Sequence, residues 1–178
     1  TKILKKGVLL KGKRQKLLNI ISEEEIIVEK YEINSSTIAI IAVDGCKSKI
    51  VEDEDSFIVN RPTSKVIDDS CRYFGSSYLG RFEGSKNFLG GTIYKSPIII
   101  EETREIIFFP LGSARSNDCS WICLNKIESY KKNANQTEVF FKNGSSIILP
   151  IRYASFENQV LRSSRLESIL RQRKSLNQ

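Results

Sequence analysis

The residues best suited to chemistry lie in one short stretch, Gly75–Phe82, which reads Gly-Ser-Ser-Tyr-Leu-Gly-Arg-Phe. The glycine spacing is that of a phosphate-binding P-loop, but Arg81 replaces its lysine and Phe82 replaces its metal-binding serine or threonine. Residues 63–74 before it have helical spacing, whereas a P-loop follows a strand. We therefore predict no nucleotide hydrolysis. Small residues, hydroxyls and a guanidinium can still contact a phosphate; the alternative is an irregular loop without function.

Cysteine is the other reactive residue type in the chain, and histidine is absent. Without imidazole, Ser–His–Asp and Cys–His catalysis and most zinc sites are excluded. The cysteines are Cys46, Cys71, Cys119 and Cys123. The last two are four residues apart, which is not the usual zinc-knuckle spacing, so we predict buried core thiols rather than a zinc site. A thiol enzyme using Cys71 would lack a base. We predict no catalytic residue, no metal, no cofactor and no enzyme.

Charge is distributed unevenly along the 178 residues, whose formal net charge is +7. Residues 1–20 hold seven Lys/Arg and no acid, and residues 21–60 hold three Lys/Arg and ten Asp/Glu. Residues 61–178 hold eighteen Lys/Arg and eleven Asp/Glu. This basic remainder favours a polyanionic partner, although a merely soluble basic surface would have the same balance. Lysines interrupt every apolar stretch near the N terminus, so no secretory signal is predicted.

The elements that must position these residues are predicted from hydrophobic periodicity. The pattern favours an α+β fold with mainly antiparallel β-sheet, one central helix (residues 63–74) and a C-terminal basic amphipathic helix. Strands are predicted over residues 26–33, 37–43, 49–51, 57–59, 97–100, 105–109, 119–127, 137–142 and 146–149. Asp44-Gly45 and Asn143-Gly144 predict hairpin turns. Polar loops are predicted over the glycine-rich residues 75–91 and over 112–118, and residues 52–55 are predicted to form a solvated acidic loop.

The C-terminal helix is predicted to run from Phe156 to Lys174, with Ser155 as its N-cap. Its apolar face carries Phe156, Val160, Leu166 and Leu170. Arg162 and Arg165 project away from that face. A helix of this kind can bind DNA, a membrane surface or a partner helix, or can simply dock on its own core.

Arg115 lies in the second polar loop, among serines and an asparagine. A loop of this kind can insert an arginine into a narrow minor groove, where the negative potential is strong. An isolated loop arginine is more often only solvated, and the sequence alone leaves both possibilities open.

Several separated blocks have an unusual sequence and a characteristic order. They are Tyr31–Asn34, Asp69–Arg81, Ile107–Pro110, Cys119–Ile122, Thr137–Val139 with Asn143-Gly144, Leu149-Pro150, and Ser155–Val160. From about residue 31 to residue 173 they resemble the ComK family of competence transcription factors of Gram-positive bacteria. Residues 1–28 have no counterpart in that pattern and are assigned as a basic N-terminal extension. Residues 29–178 are predicted to form a single ComK-like DNA-binding domain.

The resemblance implies a transcription activator of DNA-uptake genes, which binds paired AT-rich boxes in double-stranded DNA largely through the minor groove. It implies a homodimer or dimer of dimers that bends DNA and assists RNA polymerase, in the cytoplasm at the nucleoid and not at a membrane. It also implies delivery to a Clp protease by an adaptor, expected here only if the longer C-terminal tail of the best-known member is present. The competing hypothesis is a protein–protein regulator that keeps the fold, uses residues 44–55 as its interaction face and does not bind DNA.

The clustering of hydrogen-bond donors predicts which side chains meet the DNA. The predicted contacts are Arg72, Ser76, Ser77, Arg81, Lys86, Asn87, Arg115, Ser116, Arg162 and Arg165. The arginines and Lys86 are expected at phosphates or in the minor groove, and the serines and Asn87 are expected to assist. Selectivity for AT-rich DNA would come from groove width and potential more than from hydrogen bonds to base edges.

Overall fold

The computed structural model describes residues 26–91 and 94–176, so the predictions for the segment before residue 26 lie outside the described residues. Ten strands and three α-helices form the described part. The strands are β1 (Ile27–Val28), β2 (Thr37–Asp44), β3 (Lys47–Glu52), β4 (Ser56–Val59), β5 (Ile98–Glu101), β6 (Ile106–Pro110), β7 (Trp121–Cys123), β8 (Ile127–Asn133), β9 (Gln136–Phe141) and β10 (Ser146–Leu149). The helices are α1 (Thr63–Tyr73), α2 (Tyr78–Leu89) and α3 (Tyr153–Leu176).

The strands form a large sheet and a small one. The large sheet has seven strands in the order β1-β4-β3-β2-β7-β6-β5, and the small one has three in the order β10-β9-β8. All neighbouring strands are antiparallel except β1 and β4, which are parallel. The predicted α+β class with mainly antiparallel sheet is therefore confirmed.

Both faces of the large sheet are covered, which explains the continuous apolar runs of its central strands. Successive side chains of β6 point to opposite faces, so Phe108 packs with Trp121 and α1, whereas Phe109 packs against Phe156 of α3. The small sheet shares the second face with α3. A third cluster joins Leu89 of α2 to the buried leucines of α3. The hydrophobic core therefore lies on both sides of the large sheet.

The glycine-rich segment differs from the sequence prediction, because residues 78–89 form helix α2 instead of a loop. Gly75, at φ 77°, ends α1, and its N–H donates to the Arg72 carbonyl at 3.0 Å. The Ser77 hydroxyl then accepts from the Gly80 N–H at 3.1 Å and caps α2. The first two glycine positions thus serve a helix end and a helix start. The prediction of one central helix was incomplete, since two helices cover this face.

The boundaries of two further elements differ from the sequence prediction. Helix α3 begins at Tyr153, and Ser155 lies in its first turn rather than at its N-cap. The Phe156 N–H donates to the Arg152 carbonyl at 3.0 Å, which extends the helix toward its N terminus. The strand predicted over residues 119–127 is interrupted by a 3₁₀ turn at Leu124–Lys126, after which β8 begins. None of the described helices is long and apolar enough to cross a membrane.

The acidic run after β3 is only partly solvated. Glu52 accepts a hydrogen bond from the Tyr31 hydroxyl at 2.7 Å. Lys126 Nζ lies 2.5 Å from Asp53 Oδ2. Only Glu54 and Asp55 in this run are exposed. The predicted solvated loop was therefore wrong for its first two residues, because they bind neighbouring elements.

Candidate nucleic-acid interface

Two connections meet at one end of the large sheet, which we call the loop end. They are the β2–β3 hairpin (residues 44–47) and the β6–β7 connection (residues 111–120). Ile40 and Pro110 both pair with Trp121, and both strands are antiparallel to β7, so β2 and β6 end at the same end of the sheet. The loop end therefore places Arg115 beside a hairpin that is distant in sequence.

Arg115 stands at the exposed tip of a loop that is fixed on both sides. The preceding Ala114 is buried in the core, with 7% of its surface exposed. After Arg115, Asn117 accepts hydrogen bonds from the first turn of α1: Thr63 Oγ1 donates to its carbonyl at 3.1 Å and Ser64 Oγ to its Oδ1 at 2.8 Å. The loop thus presents the guanidinium to solvent on a backbone that is already ordered.

The side chain of Tyr78, the first residue of α2, packs at this end of the sheet. Burial raises the pKa of Tyr78 to about 12, and the nearby charge of Arg115 acts in the opposite direction. The Tyr78 ring meets Trp121 edge to face, with centroids 6.0 Å apart. Lys95 lies just before β5, which is antiparallel to β6 and therefore begins at the loop end. Its charge opposes the burial that raises the pKa of Cys119. Lys95 was missed from the sequence, since only the sheet order places it at the loop end.

Arg81 is placed differently from Arg115, because its guanidinium is bound within the protein. Nη1 donates to Glu102 Oε1 at 2.7 Å, and Nη2 donates to the Phe74 carbonyl at 3.3 Å. Only 16% of the Arg81 side chain is exposed. It therefore joins the C-terminal end of α1 to the β5–β6 turn. This geometry does not suit the predicted phosphate contact.

The other predicted residues near the α1–α2 turn also have structural partners. Arg72 is exposed, and its Nε donates to Asp68 Oδ2 at 2.8 Å; this bond raises the pKa of the guanidinium. Ser77 caps α2, and Ser76 is half-buried. The predicted cluster of free donors in this stretch therefore consists largely of groups that stabilise the turn.

Lys86 and Asn87 lie on α2 rather than in a loop. Lys86 Nζ sits 5.9 Å from the centroid of the Phe82 ring. Both residues, together with Glu83, line an open depression of about 620 Å³. No residue of the Arg115 loop lines this depression.

Helix α3 supplies two more predicted arginines. Arg162 Nη1 donates to Gln159 Oε1 at 3.4 Å, and Gln159 Nε2 donates to the Pro110 carbonyl at 2.6 Å. This chain of bonds ties Arg162 to the strand end from which the Arg115 loop departs. Arg165 is exposed one turn further along the helix. Neither arginine pairs with a carboxylate among the described residues.

The basic C-terminal part of α3 is held against the protein itself. Arg171 Nε and Lys174 Nζ lie 2.8 Å and 3.5 Å from the Glu105 carboxylate. The Arg173 guanidinium stacks on the Phe88 ring at 4.0 Å. The free positive charge of the helix therefore lies nearer its middle.

The fold and this surface define a small α+β protein with exposed, unpaired basic side chains at one end of its main sheet. Residues 28–175 match the family described as ComK protein, and the chain belongs to this family. It is also 40% identical over 146 residues to the competence transcription factor of Bacillus subtilis (strain 168), covering 79% of this chain and 75% of that protein. No solved structure matches. The resemblance inferred from the separated sequence blocks is thereby confirmed.

Proposed function

We propose that this chain is a sequence-specific DNA-binding activator of competence genes, which binds paired AT-rich boxes mainly through the minor groove. The family and the name of its Bacillus subtilis relative support a role in competence transcription. A basic surface without an assigned catalytic group is consistent with binding rather than enzymatic reaction. Its partners under this proposal are AT-rich duplex DNA, further copies of the chain in a dimer or dimer of dimers, and RNA polymerase in the cytoplasm at the nucleoid.

The observation that carries this proposal is the presentation of Arg115. Its guanidinium is exposed, lacks a carboxylate partner among the described residues, and sits on a loop fixed by Ala114 and Asn117. A loop backbone held in this way loses little conformational freedom on binding, so the entropic cost is confined to the Arg115 side chain. A narrow AT-rich minor groove has the enhanced negative potential that such a side chain favours. Arg162 and Arg165 would then contact flanking phosphates.

A gel-shift titration of an AT-box duplex over a series of salt concentrations tests the proposal. Arg115→Ala should weaken binding by about 1–3 kcal/mol if the guanidinium enters the groove. The salt slope, log Kobs against log salt concentration, should lose about 0.9 for each phosphate contact removed. Arg104→Ala is the matched control, because Arg104 is also exposed but lies on the β5–β6 turn at the opposite end of the sheet.

Equal losses in the two variants would contradict the assignment of the loop end. A wild-type chain that shifts no DNA even at about 50 mM salt would favour the alternative, a protein–protein regulator with the same fold, since non-specific phosphate contacts alone give measurable binding at low salt. Adaptor-mediated delivery to a Clp protease is a separate proposal. It is tested by following degradation in the presence of adaptor and protease.

A further inference from the structure

We propose that the β2–β3 hairpin, Asp44–Lys47, is a second DNA-contact element that forms one continuous surface with the Arg115 loop. No residue of this hairpin stood out in the sequence as a DNA contact. The proposal rests on the proposed DNA-binding function and extends it to a specific surface. Its partner is duplex DNA, and its chemistry is backbone contact by a lysine at a hairpin tip.

The first support is the way in which hairpin and loop are joined. The Ala42 N–H, near the end of β2, donates to Ser120 Oγ of the β6–β7 connection at 3.0 Å. At the tip, a Cβ added to Gly45 would lie 3.8 Å from Asp118 Oδ1. The hairpin therefore packs beside the loop, and a duplex that meets one at this end of the sheet also approaches the other.

The second support is the charge that the hairpin presents. Asp44 Oδ1 accepts the N–H groups of Cys46 and Lys47, both at 2.8 Å, so this carboxylate oxygen serves the turn itself. Lys47 is exposed and has no carboxylate partner among the described residues. The surface carries two acids, Asp44 and Asp118. It also carries three cations that have no carboxylate partner among the described residues: Lys47, Lys95 and Arg115.

The third support is shape. Two-stranded β-ribbons are among the elements that enter DNA grooves. Asp44, Gly45 and Cys46 at this tip have small side chains, and all of positions 43–47 are exposed. Val43, 54% exposed, adds an apolar contact next to the charged ones. The hairpin can therefore approach a sugar-phosphate backbone closely while Lys47 pairs with phosphate.

Cys46 supplies a direct probe of this surface, because it is the only exposed cysteine of the four. Burial raises the pKa of Cys71 to about 12 and that of Cys123 to about 11, and also raises that of Cys119. At neutral pH a maleimide should therefore react at Cys46 alone, since thiolates are the nucleophiles. Saturating AT-box duplex should protect this thiol. At a DNA concentration of about ten times Kd, alkylation should slow about tenfold.

Affinity measurements on variants complete the test. Lys47→Ala should weaken binding and reduce the salt slope by about 0.9. Lys142→Ala is the matched control, because Lys142 is an exposed lysine next to the other hairpin turn, Asn143-Gly144. Cys46→Ser should take up no maleimide at neutral pH, which establishes that the label reports on this thiol.

The outcomes distinguish this proposal from the one on which it rests. If Arg115→Ala weakens binding but DNA leaves Cys46 alkylation unchanged and Lys47→Ala behaves as Lys142→Ala does, the hairpin proposal is overturned and DNA binding stands. If the wild-type chain binds no DNA at low salt, the proposed function itself is overturned. Protection of Cys46 together with a smaller salt slope for Lys47→Ala supports both.

Discussion

Replacing Arg81 by alanine separates a structural role from DNA contact. The change removes the hydrogen bonds to Glu102 and to the Phe74 carbonyl and the packing of a side chain that is 16% exposed. Glu102 is 60% exposed, so its ion pair with Arg81 contributes at most about 1 kcal/mol. The bond to Phe74 and the buried stem add about 1–2 kcal/mol. We therefore expect a loss of about 1–3 kcal/mol in the free energy of unfolding, within the usual range for such changes.

Urea denaturation followed by Trp121 fluorescence measures this loss, and a gel-shift at a temperature where the variant is folded measures DNA affinity. Arg81→Ala should unfold at lower urea and yet bind an AT-box duplex nearly as the wild type does. Arg115→Ala should weaken DNA binding but change the free energy of unfolding by less than about 0.5 kcal/mol. Glu102→Gln should lose only the part of the free energy of unfolding that comes from the ion pair. Unchanged stability with lost DNA binding in Arg81→Ala would refute this reasoning and restore Arg81 as a DNA contact.

Three further predictions concern the elements that hold the site. Ser77→Ala should cost about 1 kcal/mol, because it removes the N-cap of α2; Ser77→Asp should retain most of that stability in the same urea titration. Asn117→Ala should weaken DNA binding while keeping the wild-type salt slope, because it removes the hydrogen bond from Ser64 Oγ that helps to hold the Arg115 loop and removes no positive charge. Ionisation of Cys71 and Tyr78 should leave the stability unchanged below about pH 8 and should lower it as pH rises toward 12, because an ordinary thiol begins to ionise above about pH 8. Both groups have a pKa raised to about 12 by burial, so the unfolded chain releases their protons first, at up to about 1.4 kcal/mol per pH unit and group. Circular dichroism melts from pH 7 to pH 11 check this direction.

Most strands were predicted correctly because the apolar patterns and turn signals that mark them lie within a few neighbouring residues. Residues 37–43 and 146–149 alternate or run apolar between turn signals, and the structure places β2 and β10 there. Asn143-Gly144 marks its hairpin for the same reason. Helix α2 was missed because glycine content alone suggested a loop. Its formation depends on the Ser77 cap and on Leu89 packing against α3, and the second of these is a tertiary contact.

The site was harder to predict than the fold because a side chain's type does not specify its partner. Arg81 and Arg115 are the same residue in similar Ser/Gly surroundings, yet one binds Glu102 and the other faces solvent. Lys95 and Lys47 have no local signal at all. They lie at the loop end because of the sheet order, in which β2 and β6 are both antiparallel to β7. Such positions follow only once the sheet order is known.

The presence or absence of a carboxylate partner beside each basic side chain, rather than the number of basic residues, indicates where a polyanion would bind. At the end of the sheet that holds the β5–β6 turn, Arg171 and Lys174 are both paired with Glu105, and Arg171 is also paired with Glu167. The loop end instead carries Lys47, Lys95 and Arg115 without partners among the described residues. If these three, Arg162 and Arg165 each neutralise one phosphate, the salt slope per protomer should be about −4.5, which lowers affinity about five-hundredfold between 50 and 200 mM salt. A slope near −1 would mean that Arg115 acts nearly alone, and a slope well beyond about −5 would require contacts from elsewhere in the chain or from a second protomer.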